Sequence, residues 1–248
     1  MPKFFINKEE INNENNTIEI SGDNYNHLKN VLRIKAGDEI LLCDGQKKDY
    51  QVRVEDIKPG IIKTIILNAE ENKSEPPVKV TLFQGIPKAD KMDLIIQKSV
   101  ELGITTVVPV ITDYTVVKIK NDAEAIKKVS RWQKIAEEAA KQCNRGIIPQ
   151  VDFPISFAKA LEKAASFDLK IIPYEKENAL RLKDAVENKP YNSAAIFIGP
   201  EGGFSETEIK NSMLADFKPV TLGPRILRTE TAGLAAIAII MNLIGDLG

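Results

Sequence analysis

Through the first seventy positions, short apolar runs are separated by turn residues. Thr17–Ser21, Glu39–Asp44, Tyr50–Ile57 and Ile61–Leu67 are rich in Ile, Val and Leu, which predicts strands. Asp44-Gly45 and Pro59-Gly60 supply the turn chemistry, and a short helix is expected near Asn24–Val31. So many short strands in so few residues predict a small barrel over residues 1–70. The stretch that follows is polar and charged and ends in Pro76-Pro77, so residues 71–77 read as a linker.

From Val78 onward the rhythm becomes strand, helix, strand, helix. Val78–Ile86, Thr105–Ile111, Leu169–Pro173, Ala195–Gly199 and Pro219–Leu222 are apolar runs of the kind buried on both faces of a parallel sheet. Met92, Ile95, Ile96, Ser99 and Val100 recur at helical spacing, and Asp122–Cys143 is long and amphipathic. Ser205-Glu-Thr-Glu208 is a capping box that starts another helix, and a last helix is expected over about Thr229–Leu243. This alternation predicts an α/β domain with a mostly parallel sheet over residues 78–248.

Composition narrows the function classes. The chain has 248 residues, 43% apolar and 28% charged, enough for two ordinary cores and too apolar for a disordered chain. Cys43 and Cys143 are far apart and fit a reduced cytosol, and the one histidine, His27, excludes metal sites or mechanisms needing two. Leu234–Ile244 is the longest apolar stretch and is about half of the ~20 residues a membrane span requires. A soluble, cytoplasmic protein without a metal is expected. Total charge is −1, which advertises no nucleic acid, yet residues 79–150 hold 12 basic and 8 acidic side chains. The plain reading of that excess is a solvated helix face. The sharper one is a phosphate-contacting strip of Lys88, Lys91, Lys98, Arg131, Lys134, Lys141 and Arg145.

Two segments carry candidate chemistry. Ile196-Phe-Ile-Gly-Pro-Glu-Gly-Gly-Phe204 runs a strand into glycines and then a capped helix, without the signature of a Walker loop or a dinucleotide fingerprint. Its glycines suit either close backbone approach to a ligand or a tight turn needing their dihedrals. Val220-Thr-Leu-Gly-Pro-Arg-Ile-Leu-Arg-Thr-Glu-Thr-Ala232 repeats the arrangement, with Arg225, Arg228 and Glu230 crowded before a helix that Thr229 would cap. That helix is apolar around most of its circumference, which suits a core or a subunit interface.

Gly199-Pro-Glu-Gly-Gly203 together with Leu222-Gly-Pro-Arg-Ile-Leu-Arg-Thr-Glu-Thr-Ala232 resembles the bacterial small-subunit ribosomal RNA methyltransferase E family, of the SPOUT superfamily. The likeness extends to Lys88–Asp93, Gln97–Gly103, Arg131–Arg145 and His27-Leu-Lys-Asn-Val-Leu-Arg33, nearly the whole chain. It implies a PUA-like RNA-binding barrel, a methyltransferase domain with a deep trefoil knot, S-adenosylmethionine as methyl donor, a homodimer, and N3-methyluridine in 16S rRNA as product. The implied cofactor pocket is built from Ile172, Pro173 and Tyr174, from Gly199, Pro200, Glu201 and Gly202, and from Leu222, Gly223, Ile226, Leu227, Arg228, Thr229 and Ala232. Where the family usually carries Ser-Glu-Arg, this chain has Thr112-Asp113-Tyr114, which puts one RNA contact in question.

The chemistry of the resemblance needs a group to take the imide proton of uridine N3, and Glu201 or Glu230 are the candidates. Arg225 or Arg228 would stabilise charge on the flanking carbonyl oxygens. Arg33, Lys35, Lys88, Lys91 and Arg145 are the expected RNA contacts. His27 reads as structural, Trp132 as helix packing before base stacking, and Cys143 as a buried small hydrophobe. A ribose 2′-O-methyltransferase usually carries Ser-Leu-Asn where this chain has Leu227–Thr231, which speaks for base methylation. A catalytically silent RNA-binding assembly factor would not need both glycine loops intact.

Overall fold

The computed structural model describes residues 2–248 and divides into two compact units, residues 1–75 with 140–148 and residues 76–139 with 149–248. The first unit holds β1 (Lys3–Phe5), β2 (Ile11–Asn12), β3 (Thr17–Ile20), α1 (Gly22–Asn26, continued by a wide turn over His27–Val31), β4 (Glu39–Cys43), β5 (Lys48–Lys58) and β6 (Ile61–Glu71). They form one sheet in the order β1-β4-β5-β6-β3-β2, antiparallel except where β1 joins β4. Alternation sets its core: Ile40 and Leu42 on β4, and Tyr50, Val52 and Val54 on β5, all turn inward against Ile18, Ile20, Leu28 and Ile62. β1 was not expected. His27, exposed on the turn that continues α1, packs edge-on against Phe4 of β1.

The expected linker is not loose. Glu75 is buried and receives Arg145 through Nε (3.2 Å) and Nη2 (2.7 Å), plus the amides of Gly146 (2.9 Å) and Ile147 (3.0 Å). Asn72 Nδ2 reaches Asp49 (2.7 Å) and the Asn144 carbonyl (3.0 Å), and Lys3 closes on Asp49 at 2.8 Å. These bonds place residues 140–148 in the first unit and correct the expectation for Arg145. Its side chain is 3% exposed and spent on a carboxylate, so it presents no charge to a phosphate.

The second unit contains β7 (Lys79–Gly85), α2 (Lys91–Glu101), β8 (Thr106–Ile111), α3 (Asp122–Gln142, its last turn counted with the first unit), β9 (Gln150–Val151) and β10 (Ile155–Ser156). It continues with α4 (Phe157–Lys163), β11 (Leu169–Pro173), α5 (Leu182–Ala185), β12 (Ser193–Ile198), α6 (Glu206–Leu214), β13 (Lys218–Val220) and α7 (Thr229–Ile244). The sheet is parallel throughout, in the order β10-β8-β7-β12-β11-β13, with β9 beside β8. β7 and β12 lie at its centre, buried on both faces, which is why they read as unbroken apolar runs. Phe83 stacks on Phe197 at 4.4 Å, and Phe157, Phe204 and Phe217 complete a core on one face. α2 and α7 cover the other face, with Met92, Ile95, Ile96, Ser99 and Val100 all buried as their spacing predicts. Trp132 is buried on α3.

The chain leaves β7 toward β8 and β10, then crosses to return through β11 and β12 on the other side of β7. That reversal opens a crevice beyond the C-terminal strand ends, where open α/β sheets bind ligands. Glu75→Ala would strand a buried guanidinium, and removing one partner of a buried pair costs about 3–5 kcal/mol. Urea unfolding of the variant is expected to show a loss of that order. A loss under about 1 kcal/mol would mean that the Arg145 pair does not hold this segment.

Candidate functional site: a crevice of three strand-end loops

Three loops meet beyond the ends of β11, β12 and β13. Pro173, Tyr174, Glu175 and Asn178 supply the first, Gly199–Phe204 the second, and Thr221–Thr229 with Ala232 the third. Together with Lys91 they enclose a cavity of about 480 Å³, within the usual range for small-ligand sites. Of the expected pocket residues, Pro173, Tyr174, Gly199, Pro200, Glu201, Gly202, Leu222, Gly223, Ile226, Leu227, Arg228, Thr229 and Ala232 all line it. Ile172 does not. It is fully buried in the phenylalanine core on the sheet's face, one residue before the strand end that reaches the cavity.

The loops are held by close backbone approach. A Cβ on Gly85 would lie 2.5 Å from Pro200 Cδ and 2.7 Å from its nitrogen, and one on Gly199 would lie 2.8 Å from the Gly203 carbonyl carbon. Gly203 (φ +69°) and Gly223 (φ +113°) adopt backbone that side chains disfavour. Gly199 is therefore bare because its own loop folds back on it. Ser205 and Glu208 then form the expected capping box of α6: Glu208 N donates to Ser205 Oγ (3.2 Å) and Ser205 N to Glu208 Oε2 (2.9 Å).

Thr229 ties the third loop to the second. It is the first residue of α7, and the cap position belongs to Arg228, so the expected capping role is corrected. Its hydroxyl donates instead to the Gly199 carbonyl at 2.6 Å and accepts from Gln84 Nε2 at 2.9 Å. Gln84 is fully buried and went unremarked in the sequence, although an amide breaking the apolar run of β7 is a signal that could have found it. Upstream, Thr221 donates to the Leu180 carbonyl (2.8 Å) and Leu182 donates back to Thr221 (3.3 Å). The loop is thus pinned at both ends and open between them, where Ile226 is 90% exposed.

At the border of the cavity Lys91 joins two carboxylates, Glu201 at 2.9 Å and Glu230 at 3.4 Å. This corrects its reading as a phosphate contact: its ammonium is already engaged. Glu201 also accepts from the Lys88 amide at 3.2 Å. Burial alone pushes the Glu201 carboxyl up, but the Lys91 ammonium and the backbone amides outweigh it and hold it below the usual carboxylate range. The bond to Glu201, chiefly, raises Lys91 in return. Glu230 Oε2 is buried, and its one partner among the described residues is Lys91, at the longer distance of 3.4 Å. Arg225 and Arg228 are exposed on the third loop with no carboxylate partner among the described residues, and Lys88, Arg33 and Lys35 are also exposed.

The parallel sheet and the three-loop crevice are those of a SPOUT-type RNA methyltransferase domain. Residues 74–241 match the RNA methyltransferase domain family, and residues 20–67 match the RNA methyltransferase PUA domain family. The chain belongs to the ribosomal RNA small subunit methyltransferase E family. It is 35% identical to that protein of Bacillus subtilis over 97% of this chain and 96% of the relative. It is 32% identical to that of Aquifex aeolicus over 86% of this chain and 89% of the relative. The solved structure of the Neisseria gonorrhoeae protein, bound to S-adenosyl methionine, is 36% identical, covers both chains fully and superposes with a TM-score of 0.88.

Gly85→Ala tests the close approach on which the crevice is built. The added methyl meets Pro200 backbone that has nowhere to move, and overpacking of this kind costs about 1–3 kcal/mol. A thermal melt unchanged from the parent would show that the second loop does not depend on this contact.

Proposed function

We propose that the chain methylates N3 of a uridine in 16S rRNA, with S-adenosylmethionine as donor. The observation that carries this reading is the cavity of strand-end backbone with two carboxylates bridged by Lys91 at its border. The residues fit the donor. Leu222, Leu227 and Ala232 offer apolar contact, the backbone of Gly199–Gly203 offers amides and carbonyls, and the volume suits a nucleoside-sized ligand. When bound, the donor supplies an electrophilic methyl on a sulfonium, so the protein's task on that side is alignment.

The acceptor needs a base, and the two glutamates are not equivalent. Glu201 is committed to Lys91 at 2.9 Å and to the Lys88 amide, whereas Glu230 Oε2 meets Lys91 only at 3.4 Å and has no second partner among the described residues, so it is the less engaged of the two. Glu230 is therefore the base, and Glu201 the group that positions Lys91. Arg225 and Arg228 stand free to stabilise negative charge on the uridine carbonyl oxygens. N3 lies on the Watson–Crick edge, so the base must leave any pairing to react. Arg33 and Lys35 on the first unit and Lys88 on the second would hold phosphates.

A homodimer and a cytoplasmic setting belong to the same reading. Leu234, Ala235, Ala238 and Ile239 form a half-buried apolar stripe on α7 that supports a second subunit, and no described helix is long and apolar enough to cross a membrane. A knotted path is supported by the third loop, which is pinned to Leu180 and Leu182 at one end and to Gly199 at the other. It thus runs between two segments that precede it in sequence.

Nucleoside mass spectrometry of unmodified small subunits treated with the protein and S-adenosylmethionine is expected to reveal 3-methyluridine. Glu230→Gln should lower kcat by about 10²–10⁴ with cofactor binding retained. Methyl groups on ribose, or full turnover by that variant, would contradict the reading.

A further inference from the structure

An exposed aromatic side chain stands beside the crevice. Tyr114 is half exposed and packs against Gly202, which lines the cavity and adjoins Glu201. A Cβ on Gly202 would lie 2.9 Å from Tyr114 Cβ and 3.4 Å from Cγ. The turn that carries the tyrosine is rigid. Thr112 N donates to Thr115 Oγ1 (2.9 Å) and Thr115 N to the Thr112 carbonyl (3.0 Å). Asp113 N donates to Glu208 Oε1 (3.0 Å), and Ser205 Oγ donates to Asp113 Oδ2 (2.5 Å). A turn with this many anchors presents the half-exposed ring at a defined place beside the crevice.

The residues that follow continue the feature. From Tyr114 to Lys120 exposure alternates: Tyr114, Val116, Lys118 and Lys120 are exposed, while Thr115, Val117 and Ile119 are partly buried. Alternate side chains of this segment are thus the ones that face water. Neither Lys118 nor Lys120 has a carboxylate within salt-bridge distance of its ammonium among the described residues, whereas Lys91 and Arg131 nearby in sequence are both paired. The stripe offers a ring at the crevice end, then an apolar contact, then two unneutralised charges. A single nucleic-acid strand, with a base to stack and phosphates further along, matches that order.

We propose that Tyr114, Lys118 and Lys120 form a track for the single-stranded RNA flanking the target uridine. The Tyr114 ring stacks on a base at the crevice mouth, and the two lysines hold successive phosphates. Tyr114 is thus a positioning residue, and its role rests on the reading of the crevice as an RNA-methylating site.

The test uses the full chain and two substitutions at one position. Tyr114→Leu keeps apolar cover on Gly202 without a ring, and Tyr114→Phe keeps the ring without the hydroxyl. With unmodified small ribosomal subunits as substrate, Tyr114→Leu is expected to raise KM about tenfold and Tyr114→Phe to stay within about twofold of the parent. Calorimetric binding of S-adenosylmethionine should be unchanged in both. A labelled oligouridylate, followed by anisotropy without cofactor, should bind about tenfold more weakly to Tyr114→Leu. Lys118→Ala with Lys120→Ala should lower the slope of log affinity against log salt by about 1.4, roughly 0.7 per phosphate, while Tyr114→Leu leaves it unchanged. Parental KM and oligouridylate affinity in Tyr114→Leu would overturn the track. So would loss of cofactor binding in that variant, which would make the tyrosine a prop for the Gly202 loop. If the parent protein methylates no uridine, the functional reading fails on its own, and the oligouridylate arm still decides whether the stripe binds a single strand.

Discussion

The crevice depends on one hydroxyl. Thr229 sits at the start of α7, donates to the Gly199 carbonyl and takes a hydrogen bond from Gln84 in the middle of the sheet. Three segments far apart in sequence, residues 84, 199 and 229, are thereby fixed to one another by two short bonds in a dry setting, where such bonds are hard for water to replace. The glycines around it follow from the same constraint. Gly85 has no side chain because Pro200 occupies that space, and Gly199 has none because Gly203 folds over it. Once these contacts are made, the long stretch from Leu222 to Leu227 can be left open to a ligand while its ends stay fixed.

Charge is arranged around that frame with a division between committed and free groups. Lys91 is committed to Glu201 and Glu230, which places one cation between two neighbouring carboxylates at the edge of the cavity. Arg225 and Arg228, on the open part of the third loop, are exposed and have no carboxylate partner among the described residues. The same contrast separates Arg145, buried on Glu75, from Lys118 and Lys120 on the surface. A count of basic residues between 79 and 150 treats all of these alike. The structure separates those held in ion pairs from those exposed without one among the described residues.

Much of this was legible in the order of residues. Apolar runs of β7, β8, β11, β12 and β13 marked a parallel sheet, the spacing on α2 marked its buried face, and the two glycine-bearing strand ends marked the crevice. What could not be read were facts set by tertiary partners. Ile172 and Pro173 are adjacent and both apolar, and only the position of the strand end sends one to the core and the other to the cavity. Thr229 has the chemistry of a cap, but the Gly199 carbonyl, brought close by the sheet, outcompetes the local amide. Lys91 looked like a phosphate ligand because its two carboxylate partners lie 110 and 139 positions further along the chain. Within the supposed linker, Asn72 and Glu75 are polar because they bind residues 144–147, while Glu71, Lys73, Ser74 and Pro77 are exposed.

The central claim is that the Thr229 hydroxyl assembles the cofactor crevice, and calorimetric titration of S-adenosylhomocysteine tests it most directly. Thr229→Ser keeps the hydroxyl and is expected to bind within about threefold of the parent. Thr229→Val keeps the shape but takes the hydroxyl donor from the Gly199 carbonyl and leaves Gln84 Nε2 with the Gly85 carbonyl alone, a penalty of about 1–3 kcal/mol, and should bind at least about tenfold more weakly. Parental affinity in Thr229→Val, in a protein that still folds, would contradict the claim.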